Sequence, residues 1–75
     1  ALALALSGLT RRTLAALATA AEREEGATPD ELAARLGRGV DEVLHDLDAA
    51  MDALLADRTP THVIVWPAVA AELAA

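Results

Sequence analysis

The stretch that decides the fold is "TPDELAARLGRGVDEVLHDLDAAMDALL", residues 28–55. Its first ten residues predict a short helix: Thr28 can cap the start, Pro29 suits the first helical position and Glu31 completes a capping box. Gly37 suits the stop. After "RGV" the apolar residues recur at spacings of three and four, which predicts a longer helix with one buried face. That face comprises Val40, Val43, Leu44, Leu47, Ala50, Met51 and Leu54.

The preceding residues predict another helix within "LTRRTLAALATAAEREEG", residues 9–26. Ser7 or Thr10 can cap its start, and Gly26 suits a left-handed stop. Its apolar stripe is expected to consist of Leu14, Leu17, Ala18 and Ala21. The leader "ALALAL" alternates, which suggests a strand, although Ala and Leu both favour helices. We expect an ordered leader that packs on the core or on a partner.

The residues that follow predict a β-hairpin and a last helix. "LLADRTPTHVIVW" gives strands at about 54–58 and 62–66, joined by a turn at 59–61. Pro67 ends the second strand and can open the helix "AVAAELAA". The predicted fold class is mostly α with a small β-hairpin. The single domain 1–75 divides into a leader 1–8, a three-helix core 9–53, a hairpin 54–66 and a C-terminal helix 67–75.

Length and composition restrict the function classes. A chain of 75 residues with Trp66 as its single aromatic residue has a marginal core, which pairing with another chain would relieve. The net charge of -6 disfavours a protein whose main task is to neutralise phosphate. The absence of Cys excludes disulfides and a thiol nucleophile. The apolar leader is too short for a secretory signal or a membrane span, so we expect a cytoplasmic protein.

The order helix, helix, Gly-containing turn, helix, hairpin, helix resembles a winged helix-turn-helix domain. "TPDELAARLG" is similar to the pattern T-x-x-E-L-A-x-x-L-G of many bacterial winged-helix proteins, and "VDEVLHDLDAAMDALL" contains their V-L-x-x-L-x-x-L stripe. "HVIVWPAVAAELA" is similar to the strand, proline and helix that follow their wing. The resemblance covers residues 9–75 and implies a three-helix core, a two-stranded wing and a short C-terminal helix. This fold serves regulators, dimerisation modules and docking modules alike.

The departures from this pattern disfavour DNA binding. DNA-binding members usually have a buried apolar residue and a Ser or Thr cap before the third helix, where this chain has Arg38 and Gly39. The exposed positions of that helix are mainly acidic, and the chain has no Lys, Asn or Gln to read bases. A protein partner suits this face better. The predicted interaction residues are Asp41, Glu42, His45, Asp46, Asp48 and Asp52, with Trp66 as an anchor at the end of the hairpin or as a cover for the domain's own core.

The arginines leave a DNA-binding alternative open. Phosphates would be contacted by Arg11, Arg12, Arg35, Arg38 and Arg58. The same side chains can instead balance nearby carboxylates as solvated pairs. His45 is interpreted as an ordinary surface histidine, although its acidic neighbours would suit a pH switch.

The sequence contains little that indicates a catalytic or metal site. Asp41, His45 and Asp48 or Asp52, with His62, could bind a divalent cation weakly, but no recognised metal-ligand spacing is present. Ser7 is the only serine, and the chain has no Gly-rich phosphate loop. We therefore predict no enzyme, no cofactor and no metal site.

Three functions follow, in order of preference. The first is a non-enzymatic winged-helix interaction or regulatory module that docks or dimerises within a larger protein or complex. The second is a DNA-binding transcriptional regulator that contacts phosphates through arginines. The third is the N-terminal dimerisation segment of a larger enzyme, such as a small-molecule methyltransferase.

Overall fold

The computed structural model describes residues 2–74, and within them the chain is mostly helical with one two-stranded antiparallel sheet. This confirms the predicted class at that level. The elements are α1 Leu2–Ser7, α2 Arg11–Ala20, α3 Pro29–Leu36, α4 Val40–Asp52, β1 Ala56–Arg58, β2 Val63–Val65 and α5 Pro67–Ala74. Helices α2, α3 and α4 pack against one another, and the hairpin lies against α2 and α4. No helix in this part of the chain is long and apolar enough to span a bilayer.

The second predicted helix is confirmed as α3, with the expected residues at its ends. The Thr28 Oγ1 atom accepts a hydrogen bond from the Glu31 N–H at 3.1 Å, and Pro29 lies in the first turn. Gly37 closes the helix with a left-handed φ of 66°. The capping box is only half formed, because the Glu31 carboxylate pairs with Arg23 at 3.1 Å. That contact ties the start of α3 to the segment after α2.

The helix predicted within residues 9–26 is shorter than expected. Thr10 caps α2, which ends at Ala20, well before Gly26. Gly26 does have a positive φ of 84°, but for another reason: a Cβ atom there would collide with the backbone of Val63. This close approach allows Ala27 and Val63 to exchange two backbone hydrogen bonds of 3.0 and 2.8 Å. The buried residues of α2 are Thr13, Ala16, Leu17 and Ala20, whereas Ala18 of the predicted stripe is exposed.

The third predicted helix is confirmed as α4, with one error at its end. Val43, Leu47 and Ala50 are fully buried in the core. The prediction that Leu54 continues this face is wrong, because α4 ends at Asp52 and Leu54 has a left-handed φ of 61°. That turn leaves the Leu54 side chain 80% exposed and brings Leu55 into the core instead.

The hairpin follows the predicted order, and the leader does not form a strand. Strands β1 and β2 pair with Asp57 opposite Ile64, and the Thr59 N–H donates to the His62 carbonyl at 2.9 Å across the turn. The leader forms α1, in keeping with the helix propensity of Ala and Leu. Leu6 of α1 is buried, and α1 packs on α5.

Candidate functional site

The outward side of α4 is an acidic stripe, which we define as Asp41, His45, Asp48 and Asp52. Successive spacings of four, three and four residues place these side chains on one narrow face of the helix. All four residues are exposed. Within residues 2–74 no arginine forms an ion pair with any of the three aspartates. The acidic stripe therefore presents uncompensated negative charge to its surroundings.

The neighbouring side of α4 carries a charge cluster, which we define as Arg12, Arg38, Glu42 and Asp46. Arg12 of α2 lies 3.4 Å from the Glu42 carboxylate and 3.5 Å from that of Asp46. Arg38, in the turn before α4, pairs with Asp46 and lies 3.8 Å from Glu42. Two cations thus alternate with two anions, and the charge of this cluster sums to zero.

Burial distinguishes the centre of the charge cluster from its rim. The side chains of Arg38 and Asp46 are only 19% and 14% exposed, whereas Arg12 and Glu42 lie largely in solvent. Arg38 Nε and Nη2 and Asp46 Oδ2 are shielded from water. The position of Asp46 therefore differs from the sequence-based prediction, which placed its side chain on the exposed interaction face. Its carboxylate neutralises a half-buried arginine of the same domain.

A buried threonine of α2 forms a hydrogen bond to the same part of α4. Thr13 is almost completely buried, and its hydroxyl donates to the Asp46 backbone carbonyl at 2.5 Å. The Thr13 hydroxyl in turn accepts a hydrogen bond from the Thr10 hydroxyl at 3.1 Å. The role of Thr13 could not be predicted, because a threonine in the first turn of a helix gives no sign of a partner 33 residues away.

The five arginines proposed as phosphate contacts separate into two groups. Arg12 and Arg38 belong to the charge cluster, and Arg35 of α3 pairs with Glu22 at 2.8 Å. Arg11 and Arg58 are exposed and form no ion pair within residues 2–74. Three of the five cations therefore already face carboxylates of their own chain, which lowers the positive potential available to a polyanion.

The two histidines belong to different elements of the fold. His45 is exposed on α4, whereas His62 is half-buried in the hairpin turn, with its Nδ1 atom 2.7 Å from the Thr61 hydroxyl. Among the described residues, no three side chains of His, Asp or Glu converge in a way that could hold a metal ion.

Trp66 lies in a different place from the acidic stripe. It is 43% exposed and lines an open groove of about 560 Å³ between the end of α2 and the β2–α5 junction. The other lining residues are Ala21, Glu22, Arg23, Glu24, Ile64, Val65, Pro67 and Ala70. No residue of α4 lines it, so the predicted interaction residues form two separate surfaces. Glu24 could not be predicted as part of this groove, because it lines the groove only once the segment between α2 and α3 lies against the hairpin.

Comparisons of the chain with protein-family profiles, with curated proteins and with solved structures gave no match.

Proposed function

We propose that this domain is a non-enzymatic, winged-helix-like interaction module that docks on a basic surface of a protein partner through the acidic stripe of α4. The observation that carries the proposal is the exposure of Asp41, Asp48 and Asp52 on one face, without an ion-pair partner within residues 2–74. Carboxylates arranged in this way steer a cationic partner and fix its register.

The charge distribution favours protein over DNA as the partner. In a winged-helix arrangement α4 would occupy the position of the recognition helix, and its carboxylates would approach the phosphate backbone. Affinity for DNA depends strongly on the number of phosphates that Lys and Arg neutralise. Arg12, Arg35 and Arg38 would have to leave carboxylates before contributing fully to that number.

Two departures from the winged-helix pattern, Arg38 before α4 and Asp46 within it, compensate each other's charge. Arg38 stands where DNA-binding relatives of the resembled family have a buried apolar residue, and Asp46 lies one to two turns into α4. An arginine with 19% exposure at this turn requires a nearby anion, since an unpaired buried charge is costly. Asp46 supplies it. An acidic residue in α4 is therefore part of the fold itself, as well as part of its surface charge.

Titration of the domain with labelled octa-arginine and with a labelled DNA duplex, both followed by fluorescence anisotropy, tests the proposal. We expect salt-sensitive binding of octa-arginine and no binding of DNA at moderate salt. The variant Asp41→Asn/Asp48→Asn/Asp52→Asn is expected to weaken octa-arginine binding at least about threefold, given the 0.2–1 kcal/mol typical of each exposed pair.

A matched control separates the acidic stripe from the overall charge. Asp30→Asn/Glu25→Gln/Glu72→Gln removes the same three negative charges from other surfaces, and Asp30 lies in the first turn of α3 as Asp41 does in α4. Equal weakening by both triple variants would show that only net charge matters and would refute a docking face on α4. Tight DNA binding with a steep salt dependence would favour the regulator alternative.

A further inference from the structure

We propose that the groove beside Trp66, the Trp66 groove, is a second docking site, which takes a basic side chain carried on an apolar segment of a partner protein. This surface is separate from the acidic stripe. The inference therefore does not depend on the proposed role of α4, and the two can fail independently.

The Trp66 groove has the size and lining of a binding site. Its volume of about 560 Å³ lies within the ~300–1,000 Å³ typical of ligand pockets. Ile64 and Ala70 are half-buried, and Trp66 and Pro67 are exposed, so the apolar surface is accessible. A smaller depression adjoins it along α2 and α5 and is lined by Ala18, Ala21, Glu22, Ala70, Leu73 and Ala74. Because the two depressions share Ala21, Glu22 and Ala70, a segment of polypeptide can occupy both of them.

The charges along the Trp66 groove select a cationic occupant. Glu22 and Arg23 line it but are engaged with Arg35 at 2.8 Å and Glu31 at 3.1 Å. Glu24 also lines the groove and has no ion-pair partner within residues 2–74. Once the two internal pairs are subtracted, the lining carries one net negative charge beside apolar surface.

Trp66 complements that carboxylate. An indole attracts a cation over its face more strongly than other aromatic rings do. Because Glu24 lines the same groove, both groups favour a cationic side chain there. A second copy of this chain is a poorer occupant, because two chains of net charge -6 repel each other. A basic side chain flanked by apolar residues fits both the ring and the charge.

Trp66 supplies an intrinsic fluorescence signal for this site. Trp66 is the only aromatic residue other than histidine, so tryptophan emission reports on the groove alone. The probe is the synthetic peptide acetyl-(Leu-Arg-Ala)3-amide, and its control is the same peptide with Glu in place of Arg. We expect saturable quenching or a blue shift of Trp66 emission with the basic peptide and no change with the acidic one.

Variants assign the binding to individual groups. Glu24→Gln is expected to weaken the emission titration, and Trp66→Leu is expected to weaken binding of a labelled peptide, measured by anisotropy, by about two- to fivefold each. Asp48→Asn on α4 is expected to leave the emission titration unchanged. Far-ultraviolet circular dichroism establishes that each variant is folded.

Three results would overturn the inference. They are an emission unchanged by the basic peptide, an equal response to the acidic peptide, and equal weakening by Asp48→Asn and Glu24→Gln. An emission shift produced by raising the protein concentration alone would assign the Trp66 groove to self-association and would equally refute it. A negative emission titration combined with octa-arginine binding sensitive to the acidic stripe would leave the proposed function intact.

Discussion

On the side of α4 that faces α2, Glu42 and Asp46 lie between two arginines, whereas Asp48 and Asp52 on the outward stripe form no ion pair within residues 2–74. All four residues are acidic, and whether each one is paired depends only on the side of the helix on which it lies. Asp46 points toward α2 and the turn that holds Arg38. Asp48, two residues further, points to solvent.

The acidic residues of α4 therefore have two physical roles, one in the fold and one at the surface. A half-buried carboxylate next to a half-buried guanidinium keeps either charge from being left unpaired in a poorly solvated place, so removing one of the two alone destabilises the fold. An exposed carboxylate contributes little to stability and is available to a partner. Net charge therefore describes the surface of this domain incompletely, since part of its acidity neutralises its own arginines.

The largest expected effect comes from Asp46→Asn compared with Asp48→Asn. The first change leaves Arg38 without its closest anion and is expected to lower the free energy of unfolding by about 2 kcal/mol, less than the loss at a completely buried pair. The second is expected to change it by less than about 0.5 kcal/mol. Urea unfolding followed by circular dichroism measures both, and equal values would remove the distinction between the two sides of α4.

The double variant Arg38→Met/Asp46→Leu sharpens this result. It replaces both charges with apolar groups, which is often neutral or stabilising when a buried pair is removed as a unit. We expect it to be more stable than Asp46→Asn alone. A double variant less stable than the single one would indicate that the ion pair itself, rather than the avoidance of an orphaned charge, stabilises the turn.

Thr13→Val tests the second contact on the inward side of α4. The substitution keeps the shape of the side chain and removes the hydroxyl that donates to the Asp46 carbonyl, so we expect a loss of about 1 kcal/mol. Thr19→Val is the control, because the Thr19 hydroxyl bonds only within its own helix, to the Ala15 carbonyl at 2.8 Å. A loss at Thr19 as large as that at Thr13 would show that the contact between α2 and α4 has no special weight.

Local signals predicted the elements well. Thr28, Pro29 and Gly37 each act through neighbours within a few residues, and the structure confirms the helix that they delimit. The periodic apolar face of α4 is likewise a local property. Leu54 was misplaced because periodicity alone cannot indicate where a helix ends, and "ALLAD" offers neither Gly nor Asn at the left-handed position.

The charge cluster was predictable only in part. The pair Arg38–Glu42 joins residues only four apart, across the start of α4, so it is a local contact. The pair Arg12–Asp46 joins residues of different helices, so its formation depends on how α2 crosses α4. The same limit applies to the groove, where Glu24 and Trp66 come together only after the hairpin has folded back.

The smallest effects are expected from substitutions at the two ends of the acidic stripe. Asp41 lies in the first turn of α4, where the partial positive charge of the helix N-terminus favours a carboxylate, and Asp52 is the last residue of α4, where the partial negative charge of the C-terminus opposes one. We expect Asp41→Asn to lower the free energy of unfolding and Asp52→Asn to raise it, each by about 0.3–1 kcal/mol at low salt. Thermal unfolding at low and high salt measures both changes, and they should shrink together as salt screens the charges. If both substitutions raise the free energy of unfolding, like-charge repulsion along the stripe outweighs the helix dipole. If the changes have the expected opposite signs, Asp52 lowers the stability of the domain at its position, and its charge is then explained by a partner rather than by the fold.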